Sequence, residues 1–160
     1  MKAKELNIKY KEFSFDELNS SDKKLIGFAV ESAKNAYAPY SKFRVGAAVL
    51  LSDGTIIKGN NQENAAYPSG LCAERVAVFF ANANYPDKAI DTLVVLSIDE
   101  SGNIIEQNAS PCGSCRQVIA ETEMKYNNSI RILLVSQKTV LEFNSINDLL
   151  PFSFGKDNLS

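Results

Sequence analysis

Apolar residues recur along this chain at two spacings, and the switches between them mark out its elements. In "SSDKKLIGFAVESAKNAYAPYS", Leu25, Phe28, Ala29, Ala33 and Ala36 share one stripe of a helix. Ser21 is placed to cap that helix, Asp22 suits its first turn, and Pro39 stops it. "VGAAVLL" (45–51) and "TLVVLSI" (92–98) are apolar on both faces, as strands covered from two sides are. "SDG" (52–54) is a turn signal, and with "TIIKG" after it the first of these strands forms a hairpin. The loop "NNQENAAYPSGL" leads to a helix from about Cys72 to Ala83, and a second helix runs from about Cys112 to Lys125. "IRILLVS" (130–136) and "VLEF" (140–143) are separated only by "QKT". So short a link forbids a helical crossover, so these last two strands pair antiparallel. "SINDLLPFSFG" gives a short helix ended by Pro151, then a tail.

The order after the first helix is β-β-α-β-α-β-β. It predicts an α/β fold: a three-layer α/β/α sandwich around a five-stranded mixed sheet whose last two strands are an antiparallel hairpin. Residues 1–19 read as an N-terminal extension. There Leu6, Ile8 and Tyr10 alternate with polar residues, so a short edge strand is expected. Residues 20–160 read as a single domain, a length that can bury a core without disulfides.

Charge and composition remove several functions. The net charge is −2, so no broad basic field calls for nucleic acid or an acidic membrane surface. The first ten residues lack the apolar core of a secretory signal, and the longest fully apolar run is "VAVFFA" (76–81). A cytoplasmic protein is expected, in which thiols serve metal binding or catalysis rather than disulfides.

The chain has three cysteines and no histidine. Cys112 and Cys115 are one helical turn apart at a helix start, and Cys72 opens the other helix. Helix N-termini favour thiolates, and two such starts meeting would surround one cation with three sulfurs. The Cys112-x-x-Cys115 pair alone fits a thioredoxin-type dithiol, and any single cysteine fits plain core filling. With Cys72-x-Glu74 forty residues earlier, zinc is the stronger reading. Three protein ligands leave a fourth position open, as in catalytic rather than structural sites. Glu74 stands at a helix start, where it can approach that position and move protons in place of a histidine. Three thiolates and Zn²⁺ sum to −1, and Arg75 is placed to drain the excess by hydrogen bonding to a sulfur. Arg116 has the same option, although an ordinary solvated arginine suits it better.

"CAERV" with "PCGSCRQ" resembles the zinc deaminase signature, and specifically that of the small homotetrameric cytidine deaminases with three cysteine ligands. "AYAPYSKFRVGAA" (36–48), "GNNQENAAYPSGLCAER" (59–75) and "LLPFSFG" (149–155) extend the resemblance, which spans about residues 22–155. It implies a cytidine deaminase-like fold and hydrolytic conversion of cytidine and 2′-deoxycytidine to the uridines with release of ammonia, in pyrimidine salvage. It implies Cys72, Cys112 and Cys115 as zinc ligands and Glu74 as the proton shuttle while zinc-activated water attacks C4. It further implies that the Ala73 N–H meets the base carbonyl, that Phe43 packs on the pyrimidine, and that Asn61 and Glu63 bind the ribose hydroxyls. Phe154 is implied to close the pocket of a neighbouring subunit. A deaminase for another aminopyrimidine shares the zinc pattern. A non-enzymatic zinc module would close the fourth position, and a polynucleotide editor would want more basic and aromatic residues at the pocket.

Overall fold

The computed structural model describes residues 1–159 as one mixed sheet with helices on both faces. In chain order the strands are β1 (Lys11–Ser14), β2 (Arg44–Leu51), β3 (Ile56–Asn60), β4 (Ile90–Ile98), β5 (Arg131–Val135) and β6 (Thr139–Phe143). The helices are α1 (Ser20–Ala33), α2 (Ala73–Asn84) and α3 (Gly113–Tyr126). Across the sheet the strands run β1-β6-β5-β4-β2-β3. β4 and β5 are parallel, joined through α3, whereas β2–β3, β2–β4, β5–β6 and β1–β6 are antiparallel.

The sheet therefore has six strands, not five, and the β5–β6 hairpin has the predicted sense. The sixth is the N-terminal strand, and it lies later than the Leu6–Tyr10 alternation suggests. Register decides this: Lys11 to Ser14 pair with Glu142 to Thr139, and Lys11 Nζ donates to Glu142 Oε1 at 2.8 Å. Tyr10 stacks on Phe143 with ring centroids 5.6 Å apart, while Leu6 and Ile8 stay exposed. Behind the strand, Leu18 joins the core under α1.

Residue size sets the layers. On one face, Leu25, Ile26, Ala29 and Ala33 of α1 pack against Ala48, Val94, Leu96 and Leu133. On the other, Ala73, Ala77 and Ala81 of α2 and Ile119 of α3 cover Val49, Leu93, Val95 and Ile132. The alternation along each strand feeds both cores, as the two-sided apolar runs require. Two glycines permit the close approach. A Cβ at Gly46 would run into the Ala29 carbonyl of α1, and one at Gly59 would meet the Ala73 carbonyl and Ala77 of α2. Gly59 thereby lets the first turn of α2 lie directly on β3.

α1 departs from expectation at both ends. Its cap is Asn19, whose Oδ1 accepts from the Asp22 N–H at 2.8 Å, rather than Ser21. It stops at Ala33, before Pro39: Asn35 and Ala36 tighten the last turn onto the Ser32 and Ala33 carbonyls, and Tyr37 then bonds to a different loop. The Tyr37 N–H donates to the Asn61 carbonyl at 3.0 Å, and the Glu63 N–H donates to the Tyr37 carbonyl at 2.8 Å. Where a short helix was expected near Pro151, one 3₁₀ turn forms at Ile146–Asp148. Among the described residues, no helix is long and apolar enough to cross a membrane.

Candidate active site and metal centre

Cys72 and Cys112 are the capping residues of α2 and α3, and Cys115 lies in the first turn of α3. Neither cap side chain bonds its helix, so both thiols are available to something else. The helix starts converge. Cys72 Sγ and Cys112 Sγ are 3.7 Å apart, Cys112 Sγ and Cys115 Sγ 3.5 Å, and all three sulfurs fall within 4.8 Å of one another. Two sulfurs at ~2.3 Å from a tetrahedral zinc stand ~3.8 Å apart, so this spacing fits a zinc ion without rearrangement. The cysteines are free thiols, and the third sulfur, Cys72, beside the Cys112–Cys115 pair is what a two-cysteine redox site would leave unused. The three side chains grade from exposed Cys112 through half-buried Cys72 to buried Cys115, so one side of the cluster faces solvent.

The thiols share protons unequally. The Cys115 thiol donates to Cys72, and with Arg75 and Cys112 adding to this it lowers Cys72 to about 5 despite partial burial. Cys115 is driven the other way, first by that same bond and then by burial. Arg75 Nη2 lies 3.8 Å from Cys72 Sγ and 3.5 Å from the Gly70 carbonyl. Arg75 thus reaches a sulfur and Arg116 does not. Arg116 donates to the Pro111 carbonyl at 2.8 Å and the Leu149 carbonyl at 2.7 Å, tying the α3 start to the C-terminal tail.

Glu74 is 4% exposed. Burial pushes its carboxyl up from the ordinary carboxylate range, and the Cys72 charge adds to that; its own backbone N–H and the Cys115 thiol oppose. A carboxyl poised closer to neutrality can both accept and return a proton. The first intrahelical bond of α2 runs from the Val76 N–H to the Cys72 carbonyl, so Ala73 is among the first-turn N–H groups that the helix leaves free.

Above this floor opens a cleft of about 510 Å³, into which Cys72, Glu74 and Cys112 project together with Phe43, Asn61 and Glu63. That size suits a small ring with a sugar. Phe43 is 46% exposed at the rim, where a ring offers a stacking face rather than a core contact. Asn61 Oδ1 accepts from the Val45 N–H at 2.8 Å, and its Nδ2 donates to the Phe43 carbonyl at 2.9 Å. Glu63 accepts from the Tyr40 N–H at 2.9 Å, from the Ser41 N–H at 3.3 Å and from the Ser41 hydroxyl. The Ser41 hydroxyl leads the effects that keep this carboxyl below its ordinary value. An amide has two N–H donors and a carboxylate about four acceptor positions, so both side chains keep capacity for a ligand. Phe154 does not line the cleft of its own chain. It is 56% exposed, and its carbonyl accepts from Gln117 Nε2 at 2.8 Å. Asn108, which lines the cleft and donates to the Leu134 carbonyl at 2.9 Å, was not anticipated, nor was Ser41. A serine two residues before Phe43 is the pattern of a side-chain turn, which is the signal Ser41 carries.

Residues 19–128 match the family model described as the cytidine and deoxycytidylate deaminase zinc-binding region. A cytidine deaminase of Sporosarcina psychrophila is 43% identical over 137 residues, 86% of this chain and 93% of the relative. One from Halalkalibacterium halodurans is 34% identical over 136 residues, 85% of this chain and 96% of the relative. The crystal structure of cytidine deaminase from Burkholderia pseudomallei superposes with a TM-score of 0.69 at 34% identity, covering 82% of this chain and 98% of that one. Fold, sulfur cluster and these matches define a class, the zinc-binding deaminases. Within it, the chain belongs to the cytidine and deoxycytidylate deaminase family.

Proposed function

We propose that this protein deaminates cytidine and 2′-deoxycytidine to the uridines, taking up water and releasing ammonia. The observation that carries the reading is a buried carboxyl, Glu74, beside three converging thiols at the floor of a nucleoside-sized cleft. Cys72, Cys112 and Cys115 hold the zinc. When bound there, zinc supplies Lewis acidity that makes water a nucleophile near neutral pH. Glu74 takes one proton from the attacking water and delivers it to N3 of the base, then takes the remaining proton of that oxygen, now on C4, and passes it to the amino group, which departs as ammonia. The reaction converts one C–N bond into a C–O bond, and every proton that moves passes through this carboxyl. Arg75, donating to Cys72, offsets the negative excess of three thiolates.

The Ala73 N–H, free in the first turn of α2, binds the base carbonyl. Phe43 lies on the pyrimidine, and Asn61 and Glu63 take the ribose hydroxyls through their remaining capacity. The protein works in the cytoplasm on free nucleosides, as a homotetramer in which Phe154 completes a neighbour's pocket. Exposure supports the assembly: Phe152 is 89% exposed and Phe154 56%, with Phe79 and Phe80 of α2 at 45% and 50%.

A spectrophotometric assay with cytidine tests the activity. Steady turnover with one zinc per chain is expected, and no turnover by the zinc-loaded protein would refute the reading. Sedimentation tests the assembly, and a fully active monomer at assay concentration contradicts a pocket completed in trans.

A further inference from the structure

The rim of the cleft depends on Ser41. The segment from Tyr37 to Phe43 has no helix or strand to fix it, and Lys42 sits in the left-handed region at φ 59°. Backbone bonds fix its start at Tyr37 and close a turn from the Lys42 N–H to the Ala38 carbonyl at 3.2 Å, and side-chain hydrogen bonds hold the rest, two of them meeting at the Ser41 hydroxyl. The Ser41 hydroxyl donates to Glu63 Oε1 and at the same time accepts from the Phe43 N–H at 3.0 Å. A hydroxyl can do both at once. Phe43 is thereby held on both sides of its backbone, its N–H by Ser41 and its carbonyl by Asn61 Nδ2 at 2.9 Å. Glu63 in turn gathers the Tyr40 and Ser41 amides on its other oxygen. The carboxylate proposed for the sugar and the ring proposed for the base are therefore parts of one hydrogen-bonded unit. Ser41 is its link.

We propose that Ser41 is a positioning residue for nucleoside binding: its hydroxyl couples Glu63 to Phe43, so that seating the sugar also seats the ring over the base. This rests on the nucleoside reading of the cleft given above. Two features separate it from simple loop stability. The link acts on substrate affinity and not on the proton transfers at Glu74, so its loss should fall on KM rather than kcat. It also runs through Glu63, so its effect should depend on that carboxylate.

Ser41→Ala, Ser41→Thr and Glu63→Gln, with the double variant Ser41→Ala/Glu63→Gln, form the test. Ser41→Ala should raise KM for cytidine about tenfold and leave kcat within about twofold, since it removes two hydrogen bonds at the rim. Ser41→Thr keeps the hydroxyl and should stay within about threefold of wild type. On the Glu63→Gln background, Ser41→Ala should change KM by less than about threefold. An unchanged KM in Ser41→Ala, or a full tenfold effect on both backgrounds, overturns the coupling. Amide hydrogen exchange gives a readout independent of turnover. The Phe43 amide should exchange about tenfold faster in Ser41→Ala and at the wild-type rate in Ser41→Thr, and an unchanged rate in Ser41→Ala overturns the proposal. If the wild-type protein does not deaminate cytidine, the functional reading fails, while the Phe43 exchange rate still decides whether Ser41 holds the rim.

Discussion

The floor and the rim of the cleft are built by different physics. The floor is held by regular structure: two helix starts, packed on the sheet through Ala73, Ala77 and Ile119, bring Cys72, Glu74, Cys112 and Cys115 together. The rim is held by side chains bonding to irregular backbone. Asn61 clamps Val45 and Phe43, and Glu63 gathers Tyr40 and Ser41. A floor of this kind fixes reacting groups in place, which chemistry needs. A rim of this kind can lose one bond at a time, which suits substrate selection. The contrast predicts that floor substitutions act on metal content and kcat, and rim substitutions on KM and specificity.

The largest effect should come from Cys112→Ala. Removing one of three sulfurs leaves too few ligands, so zinc content, measured by atomic absorption, should fall to near zero and activity with it. Full metal content in that variant would show the site to be elsewhere. Next, Glu74→Ala should keep zinc and fold but lower kcat by ~10⁴-fold or more, since one carboxyl serves two proton transfers. Activity within a few-fold of wild type would rule out the shuttle role. At the rim, Glu63→Gln should reduce the preference for cytidine over free cytosine about tenfold, because the charge-assisted bond to a sugar hydroxyl is one that free cytosine cannot make. An unchanged ratio from steady-state assays on both substrates would remove Glu63 from sugar selection.

The smallest effect should follow removal of residues 1–14. This deletes β1 and the Lys11–Glu142 pair, in which Lys11 is 64% exposed and contributes little. Thermal melting should shift down by a few degrees with kcat/KM within about twofold. A tenfold loss of activity would tie the edge strand to the site and erase the contrast.

The two regions were also unequally legible in the sequence. The pairs Cys72–Glu74 and Cys112–Cys115 could be read from local spacing at helix starts, whereas the meeting of those two starts, forty residues apart, rested on the motif pair and the family resemblance. The central strands themselves, and the antiparallel sense of the last two, followed from apolar runs and the short "QKT" link, but their order across the sheet did not. The rim could not be read in the same way. Nothing local says that the Asn61 amide will face the backbone of Phe43, 18 residues earlier, or that Glu63 will seize the Ser41 turn. The end of α1 at Ala33 was hidden too. Its apolar stripe continues to Ala36, but Asn35 and Ala36 tighten the last turn and Tyr37 exchanges hydrogen bonds with Asn61 and Glu63. At the other end of the chain, alternation at Leu6–Tyr10 signalled a strand, but its position was set by the partner. Lys11 pairs where Glu142 stands, and Glu142 also faces Arg131 at 3.6 Å. Arg131 in turn pairs with Asp22 at the start of α1, a network no single stretch displays.

X-ray absorption at the zinc edge tests the central claim most directly, because it reports the metal's own neighbours. The account predicts three sulfurs at ~2.3 Å and one light oxygen ligand at ~2.0 Å, with one zinc per chain. Four sulfurs, or fewer than three, would contradict a catalytic zinc held by Cys72, Cys112 and Cys115 with its fourth position left for water.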